Sequence, residues 1–151
     1  MPDIGCEYDF SLFQQTSYQL NFSKIPGVPF YCHSIVLPEM VMNSAYMATR
    51  FHDIALPGEK IKFTDLTVEI LLDKNLTTYL QIYNWMRNLS VLNSIKTTDM
   101  SNCNVTVGPK SFIMNGVYPI SLPSMTLRSN PTDADPITFT AAFAVEWFDI
   151  Q

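Results

Sequence analysis

The sequence has little charge and few basic residues. Only 15% of its 151 residues are charged, against about a quarter in an ordinary soluble domain. The nine lysines and arginines are scattered, and only Lys60 and Lys62 are near neighbours. Because phosphate backbones are held by clustered basic side chains, this distribution excludes a protein that grips nucleic acid through a basic patch. With 14 acids the net charge is −5, so the average surface repels DNA.

The residue patterns of enzymes and metal sites are also missing. The five glycines form no phosphate-binding loop, and no G-x-S-x-G nucleophile motif occurs. His33 and His52 lack the local ligand spacing of a zinc site. Asp65 and Glu69 share one strand face, where two acids are more typical of a wetted surface than of acid–base chemistry. We therefore predict no enzyme, no metal site and no cofactor.

Long apolar runs and paired cysteines are absent as well. No stretch approaches the roughly 20 apolar residues of a membrane span, and the first residues lack the basic start of a secretory leader. We therefore expect no membrane association. Cys6, Cys32 and Cys103 are far apart, which favours free thiols in a reducing compartment over a disulfide framework.

The sequence does contain the alternation of apolar and polar residues that indicates β-strands. The alternating stretches are 17–23, 30–37, 62–73, 103–107, 124–128 and 135–150, and the unbroken stretch 41–56 predicts one or two more strands. Pro57–Gly58 and Asn115–Gly116 are predicted turns. One helix is predicted near 75–89, with Asn75 as its N-cap. Its predicted core face consists of Leu76, Leu80, Tyr83 and Met86, extended by Ile82, Trp85 and Leu89.

This order of elements predicts a mainly β fold, a sandwich or barrel with one helix laid against it. Residues 1–16 have no clear period and are predicted to be an N-terminal arm, followed by a single β domain over 17–151. In the last strand the core face comprises Ile137, Phe139, Ala141, Phe143, Val145 and Trp147. The other face comprises Thr138, Thr140, Ala142, Ala144, Glu146 and Phe148. So little charge on that second face predicts that it is covered too, in a larger assembly.

The collinear order of these elements resembles the tail tube proteins of contractile-tailed bacteriophages. The matching segments are YCHSIVLPEM, VMNSAYMATRFHDIALPGEK, KFTDLTVEILLDKN, LTTYLQIYNWM and NGVYPISLPSMTLRSNPTDADPITFTAAFAVEWFDI. The resemblance covers about residues 17–150. The short arm, and Leu66 where these proteins often carry an aromatic residue, leave three branches open: the tube itself, a baseplate tube initiator, and the tube of a secretion system.

The resemblance implies a β-barrel subunit with one helix outside. Six subunits form a homohexameric ring whose inner strands join into one composite β-barrel, and rings stack into a hollow tube. DNA passes through the lumen without specific binding, a tail sheath protein surrounds the tube, and baseplate and tail terminator proteins stand at its ends. The implied location is the virion tail, with assembly in the host cytoplasm. An alternative of another class is a lipocalin-like barrel that holds an apolar small molecule, although such barrels lack a mid-chain helix.

Two surfaces are predicted for such an assembly. The candidate lumen face comprises Asp65, Thr67 and Glu69, which alternate with core-facing Leu66, Val68 and Ile70; a solvated outer face explains them equally well. We expect an acidic or neutral lumen, because lysines there would bind phosphates. The candidate ring-stacking region is 41–58, which can project as a hairpin and contains Met42, Tyr46, Met47, Pro57 and Gly58.

Overall fold

The computed structural model describes residues 18–25, 32–91, 99–129 and 136–151. The predicted N-terminal arm, Cys6, and most of the loops expected near 93–101 and 129–136 lie outside these residues. The described part contains nine strands and one helix. In chain order they are β1 (Tyr18–Phe22), β2 (Cys32–Val36), β3 (Met40–Ala48), β4 (Asp53–Phe63), β5 (Leu66–Leu71), α1 (Thr77–Val91), β6 (Ser101–Val107), β7 (Lys110–Ser121), β8 (Thr138–Ala144) and β9 (Trp147–Ile150). The predicted mainly β fold with one helix is confirmed.

Seven strands form one antiparallel sheet in the order β1–β6–β7–β8–β5–β2, with β9 paired to β7. The long strand β7 belongs to both halves of this sheet. Its first part pairs with β6 and β9, and its last part pairs with β8. Gly116 lies between these two parts of β7 and has a φ of +66°. At this point β7 contains one more residue than the segment of β6 that it pairs with. A glycine bulge of this kind bends the strand. The predicted turn at Asn115–Gly116 is therefore wrong, and the chain reverses at Gly108–Pro109 instead.

The bend folds the two halves of the sheet over a shared core. In a flat sheet β1 and β8, three places apart, would lie roughly 14 Å from each other. The ring centroids of Phe22 on β1 and Phe143 on β8 are only 5.0 Å apart. The buried apolar residues form one cluster: Leu20, Phe22, Ile25, Leu66, Val68, Ile70, Ile82, Trp85, Cys103, Val105, Met114, Val117, Phe139, Ala141, Phe143 and Val145.

The C-terminal segment differs from its prediction as one strand. It bends at residues 145–146, and β9 leaves β8 to pair with β7. The middle of the predicted core face is buried as expected, but Ile137 and Trp147 at its ends are exposed. Beyond the bend Phe148, from the opposite face, packs against the core. The predicted strand at 124–128 is also wrong, since residues 122–128 pair with no strand of the described chain.

The helix begins at Thr77, whose N–H donates to Asp73 Oδ1 at 2.8 Å. Asp73 therefore caps α1, in place of the predicted Asn75. The core side of α1 carries Thr78, Ile82 and Trp85, with Met86 and Leu89 partly buried. The predicted core face is wrong for two residues, because Leu80 is 48% and Tyr83 is 42% exposed, and Leu76 is only half-buried. At about 100° per residue, Leu80 points roughly 160° away from Ile82.

Candidate assembly surfaces

Residues 32–71 form one long antiparallel hairpin that starts in the sheet and runs beyond it. Val36 lies opposite Thr67 and Met40 opposite Phe63, so one register continues from β2–β5 into the start of β3–β4, as far as Met42. Between these pairs, Thr64 N–H donates to Glu39 O at 2.9 Å, and Glu39 N–H donates to Thr64 Oγ1 at 2.6 Å. We call β2 and β5 the hairpin base, and β3, β4 and the connecting residues 49–52 the hairpin arm.

The hairpin arm is exposed along its whole length. Every residue of β3 is exposed, and in β4 only Gly58 and Phe63 are partly covered. Its exposed large apolar side chains are Met40, Val41, Met42, Tyr46, Met47, Phe51, Ile54, Leu56 and Ile61, with Phe51 at 90%. A two-stranded hairpin is at best marginally stable in water by itself. Another surface must therefore cover this arm if it is to stay ordered.

Both faces of the arm carry exposed apolar side chains. Met47 pairs with Ile54 on one face, while Tyr46, 72% exposed, pairs with Ala55 on the other. The nine residues of β3 include no charged side chain, whereas β4 contains Asp53, Glu59, Lys60 and Lys62. Such an arm can contact a partner surface with each face, because a single partner would leave apolar side chains of the other face in water.

Pro57 and Gly58 do not form the predicted turn, since both lie inside β4. The chain reverses instead at residues 49–52, where the Thr49 hydroxyl donates to His52 O. The ladder shifts register between Met42 and Ser44, beside Pro57 and Gly58. A Cβ built on Gly58 would lie 1.9 Å from Asn43 O, so this bulge requires glycine. Proline is tolerated because each strand of a two-stranded ribbon has a free edge.

The outward face of β2, β5 and β8 consists mainly of hydroxyl and methyl groups. It carries Ser34, Val36, Thr67, Glu69, Thr138, Thr140, Ala142 and Ala144. The Glu69 carboxylate accepts hydrogen bonds from Ser34 Oγ at 2.8 Å and from Thr138 Oγ1 at 2.9 Å. These bonds, aided by nearby His33, lower the pKa of the Glu69 carboxyl, so this face keeps a fixed negative charge.

The three predicted lumen residues do not share one environment. Thr67 and Glu69 lie in β5 and are half-buried, whereas Asp65 is exposed in the short link between β4 and β5. Sequence reasoning missed Ser34 and Thr138, the two donors that hold Glu69. No local pattern could have revealed them, because strand pairing brings together residues that are far apart in the chain.

The thiols and the one notable cleft offer little for chemistry. Cys32 and Cys103 are free, burial raises the pKa of Cys32, and burial raises that of Cys103 to about 12. Both thiols therefore stay protonated and weakly nucleophilic at neutral pH. Beside α1 lies an open cleft of about 400 Å³. It is lined by Trp85, by the amides Gln81, Asn84 and Asn88, by the aliphatic Ile25 and Leu89, and by the charged Lys24 and Asp99. Lys24 Nζ lies 5.6 Å from the centre of the Trp85 ring.

Among the residues that the structure describes, no three histidine, cysteine or acidic residues are grouped as a metal site would require. Over the same ranges, no helix has the length and apolar character needed to cross a membrane.

The fold described above is similar to that of chains solved in contractile injection systems. A chain in the PVC sheath/tube terminator in its extended state aligns with TM-score 0.70 and 13% identity, over 97% of this chain and 99% of that chain. A chain in the PVC sheath–tube complex in its extended state gives TM-score 0.68 and 13% identity, over 97% and 93%. A chain in the baseplate of the anti-feeding prophage gives TM-score 0.60 and 13% identity, over 89% and 90%. No protein-family model and no curated protein matches the sequence.

Proposed function

We propose that this chain is a structural, non-enzymatic subunit of a contractile tail tube. Six copies form a ring, the rings stack into a hollow conduit inside a sheath, and DNA is delivered through the lumen. The observation that carries this proposal is the hairpin arm, which the fold leaves with exposed apolar side chains on both of its faces. Assembly into stacked rings supplies surfaces on both sides of the arm.

We assign the ring-to-ring contact to the hairpin arm. Its Met42, Tyr46 and Met47 side chains are all more than half exposed, and flexible methionines adapt well to a partner surface. At about 3.3 Å per residue, the nine residues of β3 reach roughly 30 Å beyond the base, enough to cross onto a neighbouring ring. Pro57 and Gly58 contribute by shaping the bulge in β4 rather than by forming its tip.

We assign the lumen wall to the outward face of β2, β5 and β8, with Thr67 and Glu69 on the wall and Asp65 at its rim. Hydroxyl and methyl groups give DNA phosphates no charged partner, and the ionised Glu69 repels them. In a particle carrying this chain, Asp65→Lys with Glu69→Lys should allow assembly but slow DNA delivery, and added salt should relieve the defect. Normal delivery, or failure to form tubes, would contradict this assignment.

The proposed partners are copies of this chain, a tail sheath protein, and baseplate and tail terminator proteins, in a virion tail assembled in the host cytoplasm. A tube-end or baseplate component, such as a tube initiator, is the second candidate. It is favoured by the likeness to chains in a sheath/tube terminator and in a baseplate. A small-molecule barrel is less well supported, because the described interior is filled by side chains such as Phe22, Met114 and Phe143.

Electron microscopy and sedimentation of the purified full-length protein test this proposal. We expect rings or tubes, since an obligate interface buries on the order of 2,000 Å² or more. Long tubes favour the tube subunit, whereas single rings that never stack favour a tube-end component. Replacing residues 43–60 with a short turn should leave rings but abolish stacking. A wild-type protein that stays monomeric at high concentration would overturn both candidates.

A further inference from the structure

The hairpin arm is joined to the hairpin base by two short links that belong to no strand. Residues 37–39 connect β2 to β3, and residues 64–65 connect β4 to β5. Hydrogen bonds between Glu39 and Thr64 tie the links to each other, but both of these residues are exposed. Short segments at the ends of strands are places where a projecting element can change direction. The direction of the arm therefore depends on what else the arm touches.

One aromatic side chain of the arm packs against the C-terminal strand. The ring centroid of Phe63, at the end of β4, lies 5.1 Å from that of Trp147 and 5.0 Å from that of Phe148. The interplanar angles of 73° and 67° are close to edge-to-face, a favoured arrangement of aromatic rings. Apart from Gly58, Phe63 is the one residue of β4 that is not exposed. The contact with β9 thus covers this ring, while most of the arm stays uncovered.

The rings form a continuous row from the surface to the core. Phe148 packs against the buried cluster, and its ring centroid lies 6.0 Å from that of Phe112 on β7. Trp147 and Phe148 are consecutive and leave opposite faces of β9, so a ring that contacts both lies at the margin of that strand. The Trp147 Nε1–H donates to Asp149 Oδ1 at 2.8 Å, which orients the indole along β9. We call Phe63, Phe112, Trp147 and Phe148 the aromatic joint.

The strand that receives Phe63 is itself short. β9 has four residues, and it pairs with β7. Trp147 is 47% and Ile150 is 56% exposed, so burial of these two side chains stabilises β9 only in part. A short strand with exposed side chains opens locally at a low cost in free energy. The arm and β9 are both weakly held, and the aromatic joint lets each of them support the other.

We propose that the aromatic joint couples the hairpin arm to β9 and sets the direction in which the arm leaves the body. Phe63 is the positioning residue, because its ring is the part of the arm that both aromatic side chains of β9 contact. Coupling of this kind is reciprocal, so a partner that orders the arm also strengthens the pairing of β9 with β7. The consequence for assembly rests on the proposed function: a neighbouring ring meets an arm that already has the required direction.

Hydrogen exchange of the dilute full-length protein, followed by mass spectrometry, tests the coupling. Phe63→Ala should speed exchange in β9 by at least about fivefold and leave β5 and β8 unchanged. Trp147→Ala should speed exchange at the end of β4 by a similar factor. In the double variant, exchange at either place should be no faster than in the faster single variant, because each substitution already breaks the shared contact.

Ile61→Ala is the matched control, because Ile61 lies on the same side of β4 as Phe63 but is 37% exposed. It should leave exchange in β9 unchanged. Phe63→Leu, which keeps an apolar side chain without a ring, replaces Phe63→Ala if the latter does not fold by circular dichroism. Unchanged exchange in β9, an equal effect of Ile61→Ala, or faster exchange that extends to β5 and β8 would overturn the proposal. In the last case Phe63 would be an ordinary core residue.

Electron microscopy separates the aromatic joint from the proposed tube. Where the wild-type protein forms stacked rings, Phe63→Ala should shorten the stacks. Stacks of full length in that variant would show that the joint does not direct the arm. Coupled exchange in a wild-type protein that never assembles would refute the tube and still support the joint.

Discussion

The base and the arm of the long hairpin are both antiparallel ladders but have opposite surroundings. In the base, Val68 and Ile70 are fully buried, because β8 flanks β5 and the folded sheet covers the side chains. In the arm, Met47 and Ile54 are equally apolar and paired in the same way, yet 51% and 39% exposed. The pattern of apolar residues therefore predicts that a strand is buried against some other surface. It does not predict whether that surface belongs to the same chain or to a partner.

The largest expected contrast between base and arm is in stability. Ile70→Ala should lower the free energy of unfolding by about 2–5 kcal/mol, because it leaves a cavity in a filled core. Met47→Ala should change it by less than about 0.5 kcal/mol in the dilute protomer, because that side chain is exposed. Urea denaturation measures both values. In concentrated protein, Met47→Ala should instead weaken self-association in sedimentation. Equal losses of stability in the two variants would show that the base and the arm do not differ in how far their side chains are buried in the protomer.

Two glycines provide a second contrast between the body and the arm. Gly116→Ala should destabilise the protomer by about 1–2 kcal/mol from its left-handed backbone alone. A Cβ there would also stand 2.5 Å from Glu146 Oε2 and 2.7 Å from Glu146 Cβ, so Glu146→Ala, which keeps that Cβ, should restore only a small part of the loss. Gly58→Ala should distort only the arm bulge, leaving thermal unfolding of the protomer nearly unchanged while reducing assembly. If Gly58→Ala unfolds the whole protomer, the arm is coupled to the core more strongly than its exposure indicates.

Within α1, the contrast lies between the two sides of one helix. The Thr78 hydroxyl is buried and has no hydrogen-bond partner among the described residues. Thr78→Val should therefore raise the free energy of unfolding, by up to about 1 kcal/mol, because a methyl group replaces an unsatisfied oxygen. Thr77→Val, on an exposed neighbour, is the control and should bring no such gain. A clear loss on Thr78→Val would mean that the hydroxyl has a partner after all.

The smallest expected effect concerns Glu69 in the base. Its pKa is lowered in the folded state, so its hydrogen bonds stabilise the fold at neutral pH. That contribution is lost as pH falls below the ordinary value of about 4.3 and through the lowered one. Glu69→Gln should therefore cost stability at pH 7, and the difference from the wild type should shrink in acid. Carboxyl carbon NMR of Ser34→Ala should show the pKa of Glu69 rising. An unchanged value would contradict the assigned cause.

Local patterns predicted the elements well and their ends poorly. The alternation of apolar and polar residues predicted β1, β5, β6 and the central part of β8. This was possible because burial with a period of two depends only on consecutive residues. Both glycine-containing turn signals, Pro57–Gly58 and Asn115–Gly116, proved to be bulges. A bulge and a turn need the same backbone freedom, and only the partner strand decides between them.

The helix face was misassigned for a related reason. α1 has apolar residues on both sides, so its sequence contains two candidate core faces of similar strength. Tyr79 against Phe139 and Trp85 against Phe143 determine which one is buried, and both contacts cross from the helix to β8. The two hydroxyl donors to Glu69 could not be predicted from the sequence either. Ser34, Glu69 and Thr138 lie on three different strands, and only the pairing of those strands brings them together.

The continuous ladder from the base into the start of the arm also has a mechanical consequence. Antiparallel hydrogen bonds stand across the strands, so tension along the hairpin axis loads them side by side rather than opening them one at a time. The six register pairs between β5 and β8 would share such a load. Force applied to the arm on the base side of its bulge would thereby reach the row of residues that contains Glu69.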